Sequence, residues 1–277
     1  MARKPRTAAG YDATHVGKVR ATLLYMATKI GDILDEIVIV GGIVPSLLID
    51  QGAVPDRHVG TADLDVGLTL ALLDHKRYEV LTDRLRQARF EPDQNDNGNP
   101  TRQRWRIDGP PRVTVDFLIA PTEPSDRPGG IKGIERDFAA IIAPGLRLAF
   151  IDQVQVPLAG TNIRGEQAER TVRVCGPAAF VTMKALAFRN RGENKDAYDL
   201  QYFIRYFDGG AERISGAMRA IIDAPEAKEA IAYLREDFAT VRHVGPMRAA
   251  EFLHDGPNEN AQADAWSAIQ GLLDQLN

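Results

Sequence analysis

The strongest constraint on the fold is a change of pattern at Gly176-Pro177. Before this dipeptide, short apolar runs and alternating segments typical of β-strands occur together with some helical segments. After it, every periodic segment has the spacing of an amphipathic helix. We therefore expect an α+β protein in which residues 1–176 form a domain with an N-terminal helix and a mixed β-sheet, and residues 177–277 form an α-helical domain.

Composition excludes several functional classes. The 277 residues carry a formal net charge of -4, so a nucleic-acid partner would have to be held by a local basic patch. The lone Cys175 cannot form an internal disulfide, and no Cys and His residues have the spacing of a zinc site. No apolar run approaches the length needed to cross a bilayer. We therefore expect a cytoplasmic protein without a membrane partner.

A glycine pair follows the first predicted strand. Ile37-Val38-Ile39-Val40 is a run of β-branched residues typical of a buried strand, and Gly41-Gly42 ends it. The pattern from Ile43 to Asp50 predicts a helix. A strand, two glycines and a helix let the backbone approach a ligand and direct N–H groups at an anion. The same arrangement also serves as a tight turn without a ligand.

Two carboxylates lie two residues apart in the next predicted strand, within the otherwise apolar stretch Thr61 to Leu68. Because strand side chains alternate between faces, Asp63 and Asp65 project from the same face. Two like charges side by side are costly unless a cation lies between them, and hard divalent ions take oxygen ligands. An edge strand with two solvated aspartates would give the same pattern.

A third acid lies in the middle of a later predicted strand, Val113 to Ile119. Asp116 is surrounded there by apolar residues, and a buried carboxylate needs a partner or a metal ion. A site for two cations requires such an acid on a strand neighbouring Asp63 and Asp65. We therefore expect three carboxylates to converge around a metal centre.

Arginines alternate along the predicted strand from Arg102 to Ile107. Arg102, Arg104 and Arg106 would share one face, where three guanidinium groups can clamp phosphates. A solvated outer face of an edge strand is an equally good explanation.

The order of these features resembles the core of the polymerase-β-type nucleotidyltransferases. The shared pattern is a hydrophobic strand ending in Gly41-Gly42, then Asp63-x-Asp65, then the single Asp116. The resemblance implies a nucleotidyltransferase core, in which the three acids bind two Mg²⁺ ions, with Mn²⁺ as an alternative. Asp116 would also activate the acceptor hydroxyl group.

The second half of the chain narrows the resemblance to the AbiEii/MenT group, the nucleotidyltransferase-like toxins of bacterial toxin–antitoxin systems. The matching residues are Thr61, Lys184-Ala-Leu-Ala, Arg189, Arg191 and Lys195-Asp196-Ala-Tyr-Asp199-Leu-Gln-Tyr-Phe. By this resemblance, Lys184 and Asp199 belong to the catalytic set, Lys184 as a point charge at the triphosphate and Asp199 as an orienting group. The residues that would bind the nucleotide or its phosphates are Gly41, Gly42, Thr61, Lys184, Arg189 and Asp196.

Some of these residues also have plain structural explanations. Asp196 lies in a predicted first helical turn, where the helix dipole favours a carboxylate. Lys195 and Asp199 are four residues apart and would form an ordinary surface ion pair. The histidines form no cluster in the sequence and receive no role. Trp105 and Tyr198 are expected to pack in the core rather than to stack on a base.

The resemblance implies a nucleoside triphosphate as substrate, a tRNA 3' end as acceptor and a cognate antitoxin as protein partner. Positive charge for the RNA would come from Arg102, Arg104, Arg106, Lys184, Arg189, Arg191 and Lys195. Two alternatives stay open. The acceptor could be a small molecule such as an aminoglycoside, or a protein. The chain could also be a non-catalytic protein that binds a nucleotide or a partner on the same fold, although three converging acids argue against this.

Overall fold

The computed structural model describes residues 5–69, 75–107 and 112–276. Contacts within the chain divide it into two compact units. The first contains Ala13–Ile43 and Thr61–Cys175, and the second contains 5–12, 44–60 and 176–276. The second unit therefore starts its main part at Gly176 and also includes two segments from earlier in the chain, so neither unit is continuous in sequence.

Within the described residues of the first unit, nine strands form one mixed sheet. They are β1 (Ile37–Val40), β2 (Asp63–Leu68), β3 (Phe90–Gln94), β4 (Pro100–Ile107), β5 (Val113–Ile119), β6 (Ile131–Glu135), β7 (Phe138–Ile142), β8 (Gln153–Thr161) and β9 (Gln167–Cys175). The order is β3-β4-β5-β2-β1-β9-β8, while β7 pairs with β5 and β6 pairs with β7. The pairs β1/β9, β2/β5 and β5/β7 are parallel, and the other pairs are antiparallel.

The described α-helices are distributed over both units. They are α1 (Ala13–Lys29), α2 (Val44–Leu48), α3 (His75–Gln87), α4 (Leu146–Ala149), α5 (Pro177–Arg191), α6 (Asn194–Tyr206), α7 (Gly210–Arg219), α8 (Pro225–Asp237), α9 (Val244–His254) and α10 (Glu259–Gln275). Short 3-10 segments lie at Ala8–Gly10, Gly31–Glu36 and Gly41–Ile43. No helix in these parts of the chain is both long and apolar enough to cross a membrane.

In the first unit, α1 and α3 pack on one face of the sheet. Tyr25 of α1 stacks on Phe90 of β3 with ring centroids 6.1 Å apart, and Tyr78 of α3 lies 5.5 Å from Phe138 of β7. Phe117 of β5 joins the same cluster, 5.1 Å from Phe138. Because Phe117 faces the helices, the preceding Asp116 projects from the opposite face.

The second unit is helical. Its interior contains aromatic pairs between helices, such as Phe180 of α5 with Phe203 of α6 at 4.3 Å and Tyr198 of α6 with Phe252 of α9 at 4.9 Å. Tyr198 is buried, as expected from the sequence, and in the first unit Trp105 is fully buried. The predicted α+β class, with a mixed sheet and C-terminal helices, is confirmed.

Candidate metal centre

Three carboxylates lie together on the face of the sheet opposite α1 and α3. Asp63 and Asp65 come from β2 and Asp116 comes from β5, and one carboxylate oxygen of each lies within 4.8 Å of the others. The cause is the strand pairing, because β2 and β5 are parallel neighbours with Asp65 in register with Asp116. Asp63 and Asp116 are only 4% and 3% exposed, and Asp65 is half-buried. The convergence expected from the sequence is present, and these residues are called the triad below.

Gly41 leaves space for one acid of the triad. β1 runs antiparallel to β2 with Val40 opposite Asp65, so the glycine turn begins beside this carboxylate. Gly41 has a φ of 77°, in the left-handed region that favours glycine. A Cβ atom at this position would overlap the Asp65 carboxylate. Gly41 is therefore required by the packing of Asp65, whatever it contributes to phosphate binding, while Gly42 is buried in the 3-10 segment.

Thr61 orients a second acid. Its hydroxyl group donates a hydrogen bond of 2.9 Å to Oδ1 of Asp63, and Thr61 is only 4% exposed. The bond fixes the carboxylate from the residue two positions earlier in the chain. In the structure Thr61 thus acts on the triad, and its contact with a nucleotide stays a prediction.

Arg104 of β4 binds the third acid. β4 is the antiparallel neighbour of β5, with Arg104 in register with Asp116. Nε and Nη2 of Arg104 donate to Oδ1 and Oδ2 of Asp116, both over 2.6 Å, and Nη2 lies 4.0 Å from Oδ2 of Asp63. The bond to Asp116 raises the pKa of Arg104 above its ordinary value, and the charges of the other two acids add to this. The guanidinium of Arg104 therefore places a positive charge directly beside the three carboxylates of the triad.

The other two arginines of β4 have different partners. Nε of Arg106 donates to Oε1 of Glu91 over 2.7 Å, and Nη1 of Arg102 donates to the carbonyl oxygen of Arg136 over 3.5 Å. The alternation predicted for this strand exists, but each guanidinium is held by a separate group. Phosphate binding by the stripe stays a prediction.

The second unit contains a buried ion-pair network. Nζ of Lys184 lies 3.0 Å from Oδ1 of Asp196 and 2.6 Å from Oδ2 of Asp199. The three side chains are 9%, 1% and 0% exposed. Burial alone would raise the pKa of both aspartates, but Lys184 and Arg191 hold the pKa of Asp196 at about 2. Lys184 and Lys195 hold the pKa of Asp199 well below its ordinary value.

Two further cations complete this network. Nζ of Lys195 lies 2.7 Å from Oδ1 of Asp199, and Nε of Arg191 lies 2.6 Å from Oδ2 of Asp196. The sequence suggested that Lys195 and Asp199 form an ordinary surface pair. The pair is present but lies inside the protein, with Asp199 fully buried.

Sequence reasoning missed His58. Its Nε2 lies 2.9 Å from Oδ1 of Asp199, while its Nδ1 accepts a hydrogen bond of 3.0 Å from the N–H of Gly60. Because Nδ1 is an acceptor, the imidazole is neutral and its Nε2–H group donates to Asp199. Burial lowers the pKa of His58 to about 4. No signal in the sequence connects two residues that are 141 positions apart.

Arg189 lies outside this network. Its guanidinium donates to Asp237 over 3.0 Å and to Glu236 over 2.7 Å, and it stacks on the ring of Tyr233 at 4.3 Å. These residues belong to α8, so Arg189 joins two helices of the second unit. The arginine that contacts Asp196 is Arg191, and nucleotide binding by Arg189 stays a prediction.

The donor set of the triad fits a hard divalent cation. Three carboxylates offer only oxygen ligands, as Mg²⁺, Mn²⁺ and Ca²⁺ prefer. No protein-family model matches the chain, and no curated protein matches its sequence. The functional case therefore depends on the residues described above.

Proposed function

We propose that this protein is a metal-dependent nucleotidyltransferase, which transfers a nucleoside monophosphate from a nucleoside triphosphate to a hydroxyl group. The observation that carries the proposal is the convergence of Asp63, Asp65 and Asp116 within 4.8 Å on adjacent strands. These acids follow the Gly41-Gly42 turn in the order of the polymerase-β-type pattern. Buried acids are costly to hold together, which favours a functional site over chance.

The triad would hold one or two divalent ions. Such ions, when bound, lower the pKa of the acceptor hydroxyl and neutralise the pyrophosphate that leaves. The protein's own part is to fix the ligands: Thr61 orients Asp63 through its hydroxyl, and Gly41 leaves space for Asp65. A carboxylate oxygen of Asp116 accepts the proton of the attacking hydroxyl group.

The nucleotide contacts of the proposal come from the family resemblance. Lys184 supplies a fixed positive charge, because Asp199 and Asp196 raise its pKa above the ordinary value despite its burial. Asp199 orients Lys184 at 2.6 Å. Gly41, Gly42, Thr61, Arg189 and Asp196 complete the proposed phosphate and nucleotide contacts.

The acceptor that we propose is a tRNA 3' end, with a cognate antitoxin as protein partner. The identity of the acceptor is tested by a labelling assay. The protein is incubated with α-labelled nucleoside triphosphates, Mg²⁺ and either total tRNA, candidate aminoglycosides or cell protein. A labelled tRNA band supports the proposal, whereas a labelled drug or protein keeps the chemistry and changes the acceptor.

Matched variants make this test decisive. Asp65→Asn keeps the shape of the side chain and removes a ligand charge, so labelling should disappear. Asp83→Asn makes the same change on an exposed face of α3 and should label like the parent protein. If no acceptor is labelled, and Asp65→Asn resembles the parent in growth and metal binding, the protein is a non-catalytic binder.

A further inference from the structure

We propose that Arg104 is an internal counter-ion of the triad, which competes with a divalent cation for Asp116 and turns to the phosphates when a nucleotide binds. The competition for the cation depends only on the triad. The turn to the phosphates rests on the proposed function.

The competition follows from the two hydrogen bonds between Arg104 and Asp116. Arg104 binds both oxygens of Asp116 at 2.6 Å, and its Nη2 is 4.0 Å from an oxygen of Asp63. A cation shared by Asp63 and Asp116 needs oxygen ligands at about 2.0–2.6 Å. It would use oxygens that the guanidinium binds or borders, and two positive charges would come into close contact. Arg104 and a bridging cation therefore oppose each other.

Formal charge indicates how many ions the site accepts. The three carboxylates and one guanidinium leave two negative charges, which one divalent ion neutralises. A second divalent ion would make the site positive as long as Arg104 stays on Asp116. The phosphates of a nucleotide bring the negative charge that both the second ion and the guanidinium require.

Exposure makes the turn of Arg104 feasible. The Arg104 side chain is 17% exposed, whereas that of Asp116 is 4% exposed, so Arg104 is the more solvent-accessible partner of the pair. The planar fork that matches a carboxylate also matches a phosphate. Moving from Asp116 to a phosphate preserves two charge-assisted hydrogen bonds and frees Asp116 for a cation.

The competition is tested by titrating the protein with Mn²⁺ alone and measuring binding by calorimetry and by electron paramagnetic resonance. The parent protein should bind one ion. Arg104→Gln should bind Mn²⁺ about tenfold more tightly or accept a second ion, since a close charge of the same sign is removed. Arg106→Gln is the matched control on the same strand, because Arg106 pairs with Glu91, and it should titrate like the parent.

Unchanged Mn²⁺ affinity and stoichiometry in a folded Arg104→Gln protein would overturn the proposal. If this variant does not fold, the stoichiometry of the parent without nucleotide decides. One bound Mn²⁺ ion supports the competition, and two bound ions overturn it, because the charge of Arg104 on Asp116 excludes a second ion. Absence of Mn²⁺ binding in the parent and in all variants also overturns it.

The proposed turn of Arg104 to the phosphates is tested by adding a non-hydrolysable nucleoside triphosphate analogue to the Mn²⁺ titration. The parent should then bind a second ion, and Arg104→Gln should bind the analogue more weakly than Arg106→Gln does. The labelling assay separates the two proposals. Transfer by the parent without any effect of Arg104 on Mn²⁺ removes this inference and keeps the function. If Arg104→Gln changes Mn²⁺ binding but the parent labels no acceptor, the competition for the cation is kept and the proposed function is removed.

Discussion

Each acid of the triad has its own neighbour. Thr61 donates to Asp63, the bare Cα of Gly41 leaves space for Asp65, and Arg104 binds Asp116. Thr61 and Gly41 fix the orientation of their carboxylates before an ion arrives, whereas Arg104 competes with the ion. In metal sites the loss of a supporting group typically weakens metal binding by about tenfold to a hundredfold. The site can therefore be tested through residues that would not touch the ion.

Replacing Gly41 by alanine should destabilise the first unit by about 2 kcal/mol, because the change adds both backbone strain and an overlap with Asp65. Gly98 provides a matched control, since its φ is also 77° and no atom lies within 4 Å of the position that its Cβ would take. Urea denaturation of both variants measures the difference. Equal losses for Gly41→Ala and Gly98→Ala would show that Asp65 does not depend on the glycine.

Replacing Thr61 by valine should weaken Mn²⁺ binding by about tenfold, because Asp63 loses the hydroxyl that orients it. Thr61→Ser should retain most of the affinity. Thr82→Val removes a buried hydroxyl on α3 that bonds to the carbonyl of Glu79 instead, and it should leave Mn²⁺ binding unchanged. A Thr61→Val protein that binds Mn²⁺ like the parent would contradict the role of this bond.

At the level of elements, strand register creates the site. The parallel pair β2/β5 puts Asp65 beside Asp116, and the antiparallel pair β4/β5 puts Arg104 beside Asp116. Alternation along a strand is visible in the sequence, and it correctly predicts that Asp63 and Asp65 share one face. Which strands are neighbours depends on long-range packing, and for this reason the partner of Arg104 could not be predicted.

The ends of helices are also predicted only approximately by the sequence pattern. The sequence pattern predicts a helix from Ile43 to Asp50, and α2 covers only Val44–Leu48. His58, which binds Asp199, lies in the loop that follows α2. Loop residues have no periodicity, so nothing in the pattern could assign them to a buried network.

The network around α6 should make stability depend on pH. The folded protein keeps His58 neutral down to about pH 4, while an unfolded chain takes up the proton near pH 6.5. The unfolded state therefore binds more protons in this window, and stability falls as the pH falls. The free energy of unfolding should decrease by about 1 kcal/mol from pH 7 to pH 5.5 through His58.

Urea denaturation at a series of pH values checks this dependence. His58→Gln should be less stable at pH 7, because Asp199 loses a donor, and its stability should change less between pH 7 and pH 5.5. His243→Gln changes an exposed histidine and should keep the slope of the parent. A parent slope that His58→Gln does not reduce would contradict the prediction.

At the scale of the whole molecule, the α+β class followed from the change of pattern at Gly176-Pro177. The sequence did not predict which segments belong to which unit, because residues 5–12 and 44–60 belong with the C-terminal helices. Membership of a unit depends on tertiary contacts such as the hydrogen bond from Tyr202 to the carbonyl oxygen of Asp56, and these have no local signature.

A divalent ion should raise the melting temperature of the whole protein. An ion that binds only the folded state stabilises it by about 2.7 kcal/mol at a hundredfold excess over its Kd. Thermal unfolding with Mg²⁺ or with a chelator measures the gain. Asp65→Asn should lose the gain and Asp83→Asn should keep it, whereas an equal gain in both would place the ion elsewhere.

The chain leaves the first unit after Ile43 and returns at Thr61, so the excursion begins and ends within two residues of Gly41 and Asp63. A shortened polypeptide that stops at Cys175 would retain residues 44–60 without the C-terminal helices of their unit, and the buried His58 would lose its partner Asp199. The sheet is thus unsuited to production as a separate fragment. Dissection of the protein by truncation is expected to give insoluble material, and point variants of the intact chain are the better route.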